Sequence, residues 1–560
     1  MVKKAGFEDA GVRERITGML FESVKELELD IERDEIQLER PKELVNGDLS
    51  SNIALVTAGK IKSNPRKLAE TIIDKISSDP DFISEIEVAG PGFINFFFSA
   101  DYLKYQVLKI NREQESYGDL DIGKGKKVQI EFVSANPTGP LVLVSARAAA
   151  VGSALVRLYC KAGFEVDSEY YLNDSGKQVH KLGLSLMARF RQNCGEDARI
   201  PEGGYPGEYL IEIAKQVPER EGMEWLGLEA DRGAAKFADF ALERMVELIK
   251  KDLEVFGVSF DHFFAESSLH RSDGEVDKAL EIMKDNGFIY ENDDALWFRS
   301  TDFGDEKDRV VIRSDRSPTY FLADAAYHLN KLRRGYDRVI DIFGPDHHGH
   351  IQRLKAASSV FGAEEDWLEI LTVQWVRLIE EGKEISMSKR RGEYITLNDL
   401  ISDVGKDAAK FFFLMRKNHA HMDFDLSLAR KKSDENPVYY VQYAHARISS
   451  VISFAKENDV EFPEDLECVE LLDEPEELDL IRKLIVFPQL VEGAVLMNDP
   501  NRLTTYTREI ASSFHHFYHI CRIISDNNRL SQARLLLSEA TRIVLAESLR
   551  LIGVAAPRKM

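Results

Sequence analysis

Three stretches of this chain carry residue types whose spacing suits polyphosphate chemistry. The first is Glu131-Phe-Val-Ser-Ala-Asn136-Pro137-Thr138-Gly139-Pro140. An acid is followed there by a turn that no regular element continues through, and then by Ser145 at the start of a helical pattern. Free backbone N–H groups and the helix dipole converge at such a start, which makes it a natural phosphate site. The second is Ser386-Met387-Ser388-Lys389-Arg390-Arg391-Gly392, a glycine-ended loop with consecutive cations that can close on a triphosphate. The third is Gly344-Pro345-Asp346-His347-His348-Gly349-His350. Its histidines have no acid or cysteine set beyond Asp346, so no resident metal is expected.

The elements that must position these residues follow from periodicity. Val128–Val133 is a β-branched run suited to a buried strand, and Ala148, Val151, Ala154, Leu155, Leu158 and Tyr159 recur at helical spacing. Ala162-Gly163 ends that helix and Phe164–Val166 opens another strand, completing a β–turn–α–β crossover. Arg338–Phe343 repeats the logic, a strand run ending in a polar turn before a helix through Val360. Ligands sit at such carboxyl strand ends in open α/β sheets. Between about 180 and 300 the alternation breaks. A Gly/Pro-rich loop, Pro201–Gly207, and helical patterns at Gly233–Phe256 and Gly274–Asn286 mark an insertion, after which the second half resumes near Arg309 with a strand at Asp308–Arg313 and a helix at Phe321–Arg334.

The flanks differ in kind. Residues 1–115 form an N-terminal α+β domain, with helical patterns at Glu22–Leu27 and Lys67–Ile76 and strands at Ile83–Val88 and Phe93–Phe98. Ser116–Lys127, rich in glycine and charge, is expected to be a linker into a Rossmann-type parallel-sheet catalytic domain over 116–410. Residues 411–560 form a C-terminal all-α helical bundle, with helices at Leu478–Leu496, Arg502–Ile524 and Leu530–Ile552. The expected class is therefore α/β multidomain. The aromatic stripe Tyr439, Tyr440, Tyr443, Phe514, Phe517 and Tyr518 suits a core better than an RNA platform.

Composition narrows the setting. Of 560 residues, 44% are hydrophobic and 30% charged, as in a globular protein rather than a disordered chain. No apolar run reaches the roughly 20 residues of a membrane span, so no membrane partner is expected. Cys160, Cys194, Cys468 and Cys521 are scattered, which points to a reduced, cytoplasmic protein. A net charge of −23 does not exclude nucleic acid, because an RNA footprint needs only a local basic face. No heptad run stands out, and a monomer is expected.

The wording of several segments is more particular. Glu131–Leu141, followed by Arg147-x-x-x-Val-Gly152, resembles the first signature region of arginyl-tRNA synthetases. Ser386–Gly392 resembles the second class I signature, usually Lys-Met-Ser-Lys-Ser, with Ser386 for its first lysine and Arg390 for its last serine. Gly47–Leu55, Pro65–Ala69 and Ala89–Phe96 look like the family's additional N-terminal domain, and Asn436–Arg447 like its anticodon-binding domain. One departure is clear: Val142-Leu143-Val144-Ser145 stands where class I synthetases carry His-x-Gly-His.

The resemblance implies activation of arginine with ATP and transfer to the 3′ end of tRNA(Arg). It assigns arginine binding to Glu131, Asn136, Tyr320, Asp324 and His348. A guanidinium is a permanent cation with five donors, so its pocket must offer negative charge and planar acceptors. Glu131 and Asn136 are expected to hold the α-amino end. Tyr320 and Asp324, four apart on one helical face, are expected to hold the guanidinium. ATP, with Mg2+, is assigned to Pro137, Thr138, Gly139, Ser145, Gly344, Asp346, His347, His348, Met387 and Lys389. Catalysis falls to Lys389, Ser388, Arg390 and Ser145, and tRNA contacts to Arg66, Tyr439, Tyr443 and Arg447. Asp174 and Gln178 are expected as polar contacts at the mouth of the site. Losing one transition-state donor typically costs about 2.7–4 kcal/mol, so replacement donors are sought in Ser145, Thr138, Arg147 and the basic loop. The alternative is a catalytically inactive synthetase-like tRNA-binding protein.

Overall fold

The computed structural model describes the chain except residues 1–10, 42, 78, 272–273, 386–394, 459, 461 and 464–465, and gives only the backbone of 44, 346–348 and 466. The basic loop, with Met387, Ser388, Lys389, Arg390 and Arg391, and the side chains of Asp346, His347 and His348 thus lie outside the described residues.

Residues before 115 pack α1 (Val12–Glu26), α2 (Ile53–Ile61) and α3 (Pro65–Lys75) on an antiparallel sheet. That sheet has strands β1 (Leu38–Glu39), β2 (Leu49–Ser51), β3 (Ile83–Ala89) and β4 (Phe93–Phe98) in the order β1-β2-β4-β3. Asn64 caps α3 by accepting the Lys67 N–H, with Pro65 at its first position. Helix α4 (Ala100–Glu113) leads to the segment expected as a linker, which is instead packed: Tyr117 is buried against Phe487.

The centre is a five-stranded parallel sheet. Its strands are β5 (Lys127–Glu131), β6 (Glu165–Leu172), β7 (His262–Ala265), β11 (Arg338–Phe343) and β12 (Leu368–Thr372), in the order β12-β11-β5-β6-β7. The direction of winding reverses between β5 and β11, so the cleft opens at their carboxyl ends. Helix α5 (Leu143–Lys161) covers one face. Val128, Ile130 and Phe132 pack toward it, while Gln129 and Glu131 alternate to the other face. Gly152 makes this contact possible, because a Cβ there would come within 2.1 Å of the Phe132 ring. By length and composition α5 could cross a membrane, but it is mostly buried as the core helix.

The insertion is divided in two. Helices α6 (Gly176–Asn193), α7 (Glu208–Gln216), α8 (Glu219–Leu226) and α9 (Ala230–Phe256) lie between β6 and β7. Helix α10 (Glu275–Asp285) and an antiparallel sheet of β8 (Ile289–Asn292), β9 (Ala295–Phe298) and β10 (Arg309–Ile312) lie between β7 and α11 (Tyr320–Arg333). Two expectations are corrected here. β7, inside the expected insertion, belongs to the central sheet, whereas the strand near Arg309 pairs with β9 rather than resuming the nucleotide fold. Short apolar runs carry no information on which sheet receives them.

After α12 (Ile351–Val360) and β12, β13 (Val376–Glu380) and β14 (Lys383–Glu384) precede the second signature. Helices α13 (Leu397–Val404) and α14 (Lys406–Leu414) follow. Then comes β15 (Met422–Asp425), a strand inside the region expected to be all helical, paired parallel with β13. The bundle contains α15 (Leu426–Ala429), α16 (Pro437–Glu457), α17 (Pro475–Leu484), α18 (Phe487–Leu496), α19 (Asn501–Ile520) and α20 (Asn528–Leu551). The expected single helix at Leu478–Leu496 is broken near Pro488, which has no N–H to continue it.

Candidate active site

At the end of β5 the backbone turns sharply. Val133 and Ser134 have φ of 70° and 36°. Such values are rare for a β-branched residue and mark a site held by its surroundings. The turn then passes exposed Asn136, whose amide donates to Gln178 at 2.9 Å, as expected of a residue at the mouth. Asp174 accepts from the backbone and hydroxyl of Ser267, next to Glu266. Tyr209 of α7 donates to the Thr138 carbonyl at 2.5 Å, so the insertion closes over the turn. α5 begins at Leu143 with Val142 as its cap, and among the described residues no side chain caps its first N–H groups. They are the donors such a start presents to an anion. Ser145 is the polar side chain there. The Leu397 N–H donates to the Leu141 carbonyl, and Thr396 bridges Val142. The described chain just after the basic loop is therefore tied to this helix start.

Arg147 is not a replacement donor. It is fully buried and donates to the carbonyls of Gln374, Ala420 and Lys417 at 2.9–3.0 Å. One turn into α5, its side chain is directed to the chain leading into β13 and β15, where the Lys417 carbonyl also accepts from the Ala420 N–H.

The opposite face of the sheet carries the acids. Asp341, Glu131 and Glu169 lie in register across β11, β5 and β6. Glu131 accepts from Ser134 at 2.8 Å and from Lys331 at 2.6 Å. Burial raises its pKa, and Lys331 only partly offsets this. Asp324, one turn beyond Tyr320 on α11, has its pKa raised to about 7 by burial, with Glu266 and Glu131 adding to the rise against His328 and Arg353. Tyr320 is 56% exposed and lines a cleft of about 410 Å³ with Ser175, Lys177, Glu266 and Arg313. α11 thus sets Tyr320 at the rim and Asp324 inside.

Two residues join this set that sequence reasoning did not single out. Glu266 is buried at the end of β7 and accepts from Ser175 at 2.8 Å. The Tyr171 hydroxyl is buried beside Glu266, with Asp324 and Glu131 also acting on it. Burial and those carboxylates drive its pKa far up. The signal for Glu266 was an acid directly after the apolar run Phe263-Phe264-Ala265, in a stretch assigned to the insertion. Gly344 follows β11 in extended conformation, before a 3-10 turn.

The other expected contacts separate. Arg66 donates to the Gly90 carbonyl at 2.9 Å and stays half exposed. In the bundle, Phe514 and Phe517 are core, but Tyr443 and Tyr518 are exposed and both pack on the Arg447 guanidinium. Tyr439 stacks on Tyr443. Tyr443, Arg447 and Tyr518 border a groove of about 920 Å³ that also contains Phe454, His519 and Arg522.

The sheet order, switch point and helix start are shared with solved synthetases. The fold matches Thermus thermophilus arginyl-tRNA synthetase with a TM-score of 0.79 at 19% identity, covering 98% of this chain and 100% of that one. It also matches Mycobacterium tuberculosis methionyl-tRNA synthetase with a TM-score of 0.55 at 12% identity, covering 76% and 91%. The catalytic-domain model of class I tRNA synthetases (R) matches residues 106–426, so the architecture is that of a class I aminoacyl-tRNA synthetase. The arginyl tRNA synthetase N-terminal domain model matches residues 14–98, and the DALR anticodon binding domain model residues 441–560. The arginine–tRNA ligase of Carboxydothermus hydrogenoformans is 45% identical over 98% of this chain and 99% of its own length. The chain belongs to the arginyl-tRNA synthetase family.

Proposed function

We propose that this chain carries out the reaction of its family, ATP-dependent ligation of arginine to tRNA(Arg), with the residues assembled above in the following roles. The arginine carboxylate attacks the α-phosphate of ATP, giving arginyl-adenylate and pyrophosphate, and the terminal adenosine of the tRNA then takes the arginyl group. The observation that carries the amino-acid assignment is the convergence of Glu131, Glu266 and Asp324 on the buried Tyr171 hydroxyl. An arginine side chain brings a permanent positive charge and planar donors to that acidic pocket. Tyr320 covers it at the rim, and Asn136 faces the α-amino end together with Glu131. His348 is a further candidate for this pocket.

ATP is held between the two signatures. The N–H groups at the start of α5, Ser145 and the turn Pro137-Thr138-Gly139 face its phosphates from one side, with Gly344, Asp346, His347 and His348 toward the adenosine. Met387, Ser388, Lys389 and Arg390 close from the other side. Fixed donors aimed at developing charge supply most of the acceleration in such a step. Mg2+ would arrive on the triphosphate, since no described group of three His, Cys, Asp or Glu side chains could hold a metal ion. Arg447, Tyr443 and Tyr439 offer a cation and ring faces to splayed tRNA bases, and Arg66 a further contact from the N-terminal domain. The four scattered cysteines agree with a reducing, cytoplasmic setting, and we expect a monomer.

Arginine-dependent ATP–pyrophosphate exchange, with and without tRNA(Arg), tests the reading beside a Lys389→Ala control. Exchange that collapses in the control supports catalysis without the two signature histidines. Bound tRNA with no exchange under either condition would favour the inactive alternative.

A further inference from the structure

Asp341, Glu131 and Glu169 stand side by side on three adjacent parallel strands, all facing α11. Like charges in that arrangement repel, and burial removes the water that would screen them. α11 answers with His328, Lys331 and Arg334, spaced three apart. Arg334 pairs with Glu169 at 2.6 Å, and Glu169 also accepts from Tyr327 and Gln129. Lys331 is fully buried and donates to Glu131 at 2.6 Å and Asp341 at 2.7 Å, with the Tyr327 ring 4.3 Å away. Its donors are thereby used on two carboxylates and a ring face.

His328 completes the balance. Its Nδ1 lies 2.7 Å from the Asp324 carbonyl oxygen and its Nε2 lies 2.9 Å from an Asp341 carboxylate oxygen. Both ring nitrogens face acceptors, and a carbonyl can only accept, so Nδ1 carries a proton. The second proton sits on Nε2 or on Asp341. Although burial opposes it, Lys331 and His328 hold the Asp341 carboxyl below its ordinary range, which places that proton on the imidazole. His328 and Lys331 then balance Asp341 and Glu131. The other groups facing this cluster are Asp324 and Tyr327 on the same helix, Glu169 on β6, and Arg353 of α12 opposite Asp324.

We propose that His328 and Lys331 are positioning residues for the amino-acid pocket, forming one hydrogen-bonded chain from the Asp324 backbone through His328, Asp341 and Lys331 to the Glu131 carboxylate. This rests on the assignment of Asp324 and Glu131 to arginine. The chain joins the guanidinium end of the pocket to the α-amino end, so their separation is set by α11 and β11 rather than by the ligand. It also keeps the Glu131 carboxyl aimed while the pocket is empty.

The test uses the full chain labelled with ¹⁵N-histidine, with the His328 signals assigned by their absence in His328→Gln. Both ring nitrogens are expected to carry protons at neutral pH, since each faces an acceptor. In Asp341→Asn, a nearly isosteric change that serves for assignment if His328→Gln does not fold, the Nε2 signal is expected to move, because its carboxylate partner is gone. The KM for arginine should rise about tenfold or more in that variant, with the KM for ATP within about twofold. An unprotonated His328 nitrogen in the unaltered protein at neutral pH overturns the proposal. So does an unchanged arginine KM in Asp341→Asn when Asp324→Asn raises it. If Asp324→Asn itself leaves arginine KM unchanged, the pocket assignment fails first and takes the proposal with it.

Discussion

Replacing Asp324 with asparagine should weaken the enzyme and stabilise the protein. Asp324 has its pKa raised to about 7 from the usual 3.8, because burial and two nearby carboxylates disfavour its charge. That interval corresponds to about 4 kcal/mol of ionisation cost in the empty pocket, an upper bound. The unfolded chain ionises this carboxyl above about pH 4, the folded chain only above about pH 7. The fold is therefore penalised increasingly as pH rises between those values, and fully above them. Asparagine removes the penalty, so its gain in melting temperature should be larger at about pH 8 than at about pH 5. Partial solvent contact reduces the effect, and about 2 kcal/mol is expected. Activity moves the other way. A guanidinium needs the carboxylate, so kcat/KM for arginine should rise about tenfold per pH unit up to about pH 7 and then level off. In Asp324→Asn this rise should vanish and kcat/KM should fall about a hundredfold, as when one partner of a buried charge pair is lost. Pyrophosphate exchange measured across pH, beside calorimetric melts, tests both signs. A variant that keeps its arginine kcat/KM, or that melts lower at high pH, would refute the reasoning.

Other outcomes follow from single contacts. Ser145→Ala should lower kcat for exchange at least about tenfold with arginine KM unchanged, which pre-steady-state exchange would resolve. Arg147→Met should strand the Gln374 and Ala420 carbonyls and cost about 3 kcal/mol in a denaturant melt, because the group acts in the core and not on ATP. Gly152→Ala should destabilise by about 1–3 kcal/mol through its clash with Phe132, read in the same melt. Arg447→Ala should weaken tRNA binding by about 1–3 kcal/mol and reduce its salt dependence, with the arginine KM unchanged in filter-binding and exchange assays.

Much of this protein was legible locally. The crossover at Val128–Val166, the strand and turn at Arg338–Pro345 and the face shared by Tyr320 and Asp324 all follow from spacing, because strand and helix periods dictate which side chains project together. The signature words and the missing histidines are sequence facts that no structure was needed to see. Two classes of decision came only with tertiary structure. Short runs such as Phe263–Ala265 and Arg309–Ile312 look alike in sequence, yet one joins the central sheet and the other the inserted sheet, since pairing depends on distant partners. The fate of charges was likewise invisible. Arg147 could be placed at the phosphates from its position alone, but distant carbonyls bury it. Glu266 and Tyr171 entered the pocket only when β6 and β7 were set beside α11. Sequence spacing sets the direction of a side chain on its own element. What it meets is set by chain returning from far away, and burial there decides whether it is a ligand, a strut or a charge awaiting its counterion.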